Sequence, residues 1–102
     1  MAVSLQVLYP AREGTHFDQD YYAAKHIPLV HQYMGDELVS TLVAKGIAGG
    51  PDAPAGFYAI ATMTFADNDA LQKALAKAGP ILADIPNYTN TEPEMLIGEV
   101  IG

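Results

Sequence analysis

Phe57-Tyr58-Ala59-Ile60-Ala61-Thr62-Met63-Thr64-Phe65 alternates without interruption. Phe57, Ala59, Ala61, Met63 and Phe65 fall on one side and Tyr58, Ile60, Thr62 and Thr64 on the other, which is the period-2 signature of a strand. The first side is wholly apolar and must be covered by other parts of the chain. Upstream, Gly46 to Gly56 is a Gly/Pro/Ala loop too long for a tight hairpin and the segment expected to be most mobile. Leu38 to Lys45 before it reads as another strand. Further back, Ala2 to Tyr9 alternates again, with Val3, Leu5, Val7 and Tyr9 on one face, so it is a strand as well.

Helices fill the gaps. Pro10 to His16 reads as a loop, and Thr15 followed by Asp18 has the form of a capping box that starts a helix. Phe17, Tyr21 and Ala24 make one apolar stripe, with Tyr22 and His26 one turn apart beside it. Pro28 has no backbone N–H and biases Ile27 away from helical angles, which predicts a kink or break near Ile27. A second helical piece then runs to about Met34 and stops at Gly35. Downstream of the opening strand, Asp67 is a good N-cap for a helix through Ala78, with Leu71, Ala74, Leu75 and Ala78 as its core stripe and Gly79 as its end. Pro80 opens a short turn to about Asp84, Ile85 to Thr91 reads as a polar loop, and Met95 to Ile101 is the last strand.

The order is therefore β-α-β-β-α-β, the ferredoxin-like arrangement of the α+β class: a four-stranded antiparallel sheet with its helices on one face. The chain of 102 residues fits a single domain spanning 1–102. The far side of the sheet is not polar either, since it is assigned Leu8, Val39, Val43, Tyr58, Ile60, Leu96 and Val100. An apolar area of that extent marks an interface, and two such sheets facing across a two-fold axis would cover it as a homodimer. The plainer alternative is an amphipathic sheet with a few exposed β-branched residues.

Composition narrows the function classes. Half of the residues are apolar (50%), which supports a packed core. The formal net charge of −7 argues against nucleic acid and anionic membrane surfaces as partners. There are no cysteines, which removes disulfides and thiolate chemistry and suits a reducing compartment. The N-terminus reads as a strand and not a signal peptide, so the expected location is cytoplasmic.

The stretch Phe17-Asp18-Gln19-Asp20-Tyr21-Tyr22-Ala23-Ala24-Lys25-His26-Ile27-Pro28-Leu29-Val30 resembles the signature helix of the EthD family, with its Phe, its Tyr-Tyr or Tyr-Trp pair and its His-x-Pro-Leu. Val7-Leu8-Tyr9-Pro10 is similar to that family's first strand, and Asp84-Ile85-Pro86-Asn87-Tyr88-Thr89 to the tail of one subgroup. The resemblance spans essentially the whole chain. It implies a dimeric α+β barrel with a cleft between sheet and helices in each subunit. The founding member is associated with bacterial degradation of ethyl tert-butyl ether as an accessory to an oxidising system. Relatives on the fold include cyclases, dehydratases and haem-degrading monooxygenases, so the family fixes fold better than function.

His26 is the first candidate for chemistry. It stands at the end of a helical piece, where the dipole favours the charged ring while burial opposes it, and such a ring can take and return a proton. The matching histidine of the EthD motif supports this choice; the alternative is a structural ring capping carbonyls at the Pro28 kink. Tyr22, one turn before it, is the second catalytic candidate. Tyr9, expected in the helix-side layer, Tyr58, expected on the barrel face, and Tyr88 are candidates for ligand binding, or else amphipathic core residues with their hydroxyls at the rim. Asp84 could align His26 as a carboxylate–imidazole pair, or be a plain surface acid.

Metal binding is not expected. His26 and His31 are five apart with Pro28 between them, which is not the spacing of a zinc pair. The glycine-rich loop lacks the pattern of a phosphate cradle. Three readings follow: an auxiliary enzyme using His/Tyr acid–base chemistry (cyclase-, dehydratase- or isomerase-like) on a small apolar, aromatic or ether-type metabolite; a non-catalytic carrier of a hydrophobic ligand; or a haem-contacting, monooxygenase-like protein. The first two need no cofactor.

Overall fold

The alternating segment Phe57–Phe65 forms β3, an interior strand of a four-stranded antiparallel sheet ordered β2-β3-β1-β4. A computed structural model describes the whole chain, Met1–Gly102. β1 is Val3–Pro10, β2 is Leu38–Lys45 and β4 is Glu94–Glu99. β1 pairs with β3 through Leu5↔Met63 and Val7↔Ala61, and with β4 through Leu5↔Ile97 and Val7↔Met95. Leu5, Val7, Tyr9, Ala59, Ala61, Met63 and Phe65 are all buried beneath the helices, the side assigned to them by periodicity. The strand order and the helices on one face make the fold ferredoxin-like.

The far side of the sheet differs in two places. Register puts Val43 opposite Ala61, under the helices, and Leu42 opposite Thr62, facing away. A register shift between Leu38 and Ser40 leaves Val39 as an extra residue, which reverses the alternation after it. Tyr58 is also not a free barrel-face residue. Its ring stacks on Phe17 with centroids 5.4 Å apart, and its hydroxyl is hydrogen-bonded to that of Thr15 at 2.7 Å. What remains on the outer face is still apolar: Leu42 is 71% and Leu96 56% exposed.

The helical layer begins with α1 (Gln19–Tyr21), continues through a π turn (Tyr22–His26) and runs on as α2 (Ile27–Met34). Asp18, not Thr15, is the N-cap: its Oδ1 accepts from the Tyr21 N–H at 3.0 Å. The break expected near Ile27 does not occur. Ile27 is helical, and its N–H reaches back to the Tyr22 carbonyl, so one widened turn just before Pro28 accommodates the ring. In so wide a turn residues four apart stand nearly one above the other. Tyr22 and His26 are buried in this way, whereas Ala24 faces solvent and the Phe17/Tyr21/Ala24 stripe is not the one buried.

After β3, α3 (Asn68–Ala76) is capped by the Asp67 Oδ1, which accepts from the Ala70 N–H at 2.8 Å. It ends earlier than expected, at Lys77, and Gly79 opens α4 (Gly79–Asp84) rather than closing α3. The segment after α4 is the larger correction. A 3-10 turn (Ile85–Asn87) leads into Tyr88, Thr89 and Thr91, all buried, so this is no polar surface loop. The threonines are tolerated inside because Thr89 Oγ1 donates to the His16 carbonyl and Thr91 Oγ1 to the Pro10 carbonyl, each at 2.6 Å.

Candidate functional site

The π turn delivers His26 and Tyr22 to one place, and the buried segment after α4 brings Tyr88 and Asp84 to meet them. The His26 ring lies 5.5 Å from that of Tyr22, almost parallel to it, and 4.6 Å from that of Tyr88. Tyr9, from the end of β1, packs edge-on against both Tyr22 and Tyr88, and its hydroxyl is hydrogen-bonded to that of Tyr88 at 2.8 Å. Phe17 closes the group from the loop before α1 and carries Tyr58 on its far side. Of the candidates that the sequence singles out, Tyr9, Tyr22, His26, Asp84 and Tyr88 thus converge, while Tyr58 is one ring removed.

Asp84 organises the centre. Its Oδ2 is 3.0 Å from His26 Nδ1, and its Oδ1 accepts from the Tyr21 hydroxyl at 2.7 Å and from Asn87 Nδ2 at 3.0 Å. Burial works to raise the carboxyl's pKa, but the bonds from Asn87, Tyr21 and His26 outweigh it and hold the group below the usual carboxylate range. Asp84 is therefore ionised at neutral pH and can only accept, which fixes the proton of a neutral His26 on Nδ1. The ring itself is 3% exposed. Burial pushes its pKa below the ordinary 6.5, against the raising influence of Asp84. Burial likewise raises Tyr22 and Tyr88, so both phenols stay protonated.

His26 Nε2 has no partner within the chain and is not sealed from solvent-sized space. His26 forms part of the wall of a cavity of about 180 Å³ between the sheet and the helices. Tyr9 and Tyr22 share this end of the cavity wall, and Leu5, Val7, Ala61 and Met63 form its floor. The exposed residues His31, Leu82 and Met95 mark its mouth. No lysine or arginine lines it. Asp84 and Tyr88 stand behind His26 and do not line the cavity, so Asp84 acts on a ligand only through the ring.

A haem does not fit these residues. The cavity is far smaller than a porphyrin, and no lysine or arginine is present to meet propionates. Nor do three His, Asp or Glu side chains converge anywhere.

Tyr21 and Asn87, the further partners of Asp84, are not among the residues that the sequence singles out. The consecutive Tyr21-Tyr22 pair is the available signal, since neighbours in a helix point to different surroundings and the two hydroxyls need separate partners. Thr41 and Met95 are also cavity residues that no sequence pattern marks, because placing them requires the strand register; His31 joins them from α2.

Comparison with known proteins agrees with this architecture. The model of the EthD domain matches residues 15–92. An EthD-like protein from Ralstonia eutropha is 34% identical over 99% of this chain and 93% of its own, with a TM-score of 0.89. An ethyl tert-butyl ether degradation (EthD) family protein from Bacillus halodurans is 24% identical over 99% of this chain and all (100%) of its own, with a TM-score of 0.78. SnoaB from Streptomyces nogalater, a cofactor-independent oxygenase, shares the fold at 12% identity, covering 98% of this chain and 95% of its own, with a TM-score of 0.63. No curated protein matches the chain.

Proposed function

Because the chain belongs to the EthD family, whose fold encloses the cavity described above, we propose that it is a small auxiliary enzyme that moves a proton on an apolar or aromatic metabolite, with His26 as general base. The observation that carries this reading is the neutral imidazole held at Nδ1 by Asp84, in the wall of an apolar cavity and with its second nitrogen unpartnered within the chain. A ring so placed can take a proton from a bound molecule and return it, as cyclisation, dehydration or isomerisation require. Tyr22 and Tyr9, which share the cavity wall, are protonated donors that can polarise an oxygen beside the reacting carbon, with Tyr88 hydrogen-bonded to Tyr9 from behind. The same fold carries a cofactor-independent oxygenase in SnoaB, so this fold can host an enzyme. The working form in this reading is a homodimer, its two outer sheet faces packed together over residues such as Leu42 and Leu96.

A substrate-independent test uses phenylacetone in D2O. Its benzylic hydrogens exchange when a base removes them, and NMR follows their loss. The protein should accelerate exchange, and His26→Ala should lower that acceleration about 10²-fold while phenylacetone still binds. Equal acceleration by both proteins would remove His26 as the base, and binding without acceleration by the wild-type protein would make the chain a carrier of hydrophobic ligands instead.

A further inference from the structure

The shape and polarity of the cavity restrict what occupies it. An apolar cavity of about 150 Å³ takes benzene and stays dry without it. The present volume of about 180 Å³ therefore accommodates one ring with a small substituent, and a fused polycycle would require the helices to move. The lining is aliphatic and aromatic except at the histidines, Thr41 and the tyrosine hydroxyls.

The polar end asks for a particular partner. Asp84 accepts from Tyr21, Asn87 and His26 Nδ1. That leaves Nε2 as a bare acceptor on a ring that lines the cavity. An ether oxygen or a carbonyl has no hydrogen to offer this nitrogen, and burying the nitrogen against either leaves it unpaired. A carboxylate is worse, because the Asp84 charge lies directly behind the ring and no lysine or arginine on the wall offsets it. A neutral hydroxyl satisfies the nitrogen, and a phenolic one also matches the flat apolar walls.

We propose that the ligand of this cavity is a neutral single-ring phenol whose O–H is donated to Nε2 of His26. The proposal rests on the reading of the cavity as the ligand site and names the class of molecule that enters it. It also separates the molecule bound here from an ether as such: the hydroxylated compound, not the ether, fits the nitrogen.

The test compares phenol, its methyl ether anisole, and benzoate on the intact protein at pH 7, with the methionine methyl groups labelled for NMR. Met34, Met63 and Met95 line the cavity, whereas Met1 is exposed elsewhere and serves as the control. Phenol should shift the three cavity methyls and bind at least about tenfold more tightly than anisole, the worth of one hydrogen bond plus the unpaired nitrogen. Benzoate should not compete. In His26→Phe the preference for phenol over anisole should vanish; the wild-type comparison stands even if that variant folds poorly. Anisole binding as tightly as phenol overturns the proposal while leaving the cavity a ligand site. A failure of both to shift the cavity methyls overturns the proposal and the functional reading together. Equal binding of 1-naphthol and phenol overturns the limit of one ring.

Discussion

At the scale of single residues, the chemistry depends on which of two opposing influences wins at His26. Burial lowers its pKa and Asp84 raises it, and burial prevails. The ring is then neutral at pH 7, as the proposed general base requires. The sign for stability follows from the same shift. An unfolded chain binds the proton at the ordinary 6.5, so the folded state is favoured above that value and loses stability as pH falls from 6.5 to the native pKa. Asp84 adds a second loss in more acidic solution, below its ordinary 3.8, because its folded pKa is also depressed. Tyr21, Tyr22 and Tyr88 surround the pair but stay protonated throughout, so Asp84 is the charge the ring senses. Replacing Asp84 by Asn removes the one raising influence and should carry the His26 pKa lower still. His26 is visible in the sequence as a histidine before a proline in a helix. Its pairing with Asp84 is conceivable from sequence but not derivable, since 58 residues separate them and only the packing of α4 against the first helical layer joins them.

At the scale of elements, periodicity reads strands well because the side-chain period of a strand is fixed by its pleat. β3 and β2 carry the boundaries that alternation and flanking turns suggest. A bulge leaves no such trace, and because of the one at Val39 alternation alone assigns Val43 to the wrong face. Pro28 does disturb the helix, but a π turn absorbs its effect and no break forms. That turn stacks Tyr22 on His26, so the local irregularity shapes the site. Ile85 to Thr91 misleads for a different reason: Thr89 and Thr91 look like surface residues until their hydroxyls are seen to donate to backbone carbonyls. The buried Thr91–Pro10 bond ties this segment to the end of β1. Thr91→Val, which keeps the shape and deletes the donor, should destabilise the protein by roughly 1–3 kcal/mol. Urea denaturation measures this, and an unchanged midpoint would mean that the bond does not anchor the segment.

At the scale of the whole molecule, a four-stranded sheet with helices on one side leaves its other side to be covered. The element order makes this architecture legible, and the structure agrees in strand order and in which face the helices occupy. No helix is long and apolar enough to cross a membrane. Leu42 and Leu96 stand out on the uncovered side, where a second copy would bury them. Placing aspartate at both positions should convert a dimer into monomers in sedimentation velocity, while the wild-type protein sediments as a dimer at micromolar concentration. A wild-type monomer at that concentration would remove the homodimer from the functional reading. The cavity faces the opposite side of the sheet, so the double variant should retain the cavity and its ligand.

The neutral ring proposed as the base is where the three scales meet, and nitrogen-15 NMR of His26 tests it most directly. The prediction is a titration midpoint below 6.5, moved lower in Asp84→Asn, with the proton on Nδ1 and a bare Nε2 at pH 7. A ring protonated on both nitrogens at pH 7, or carrying its single proton on Nε2, would contradict it.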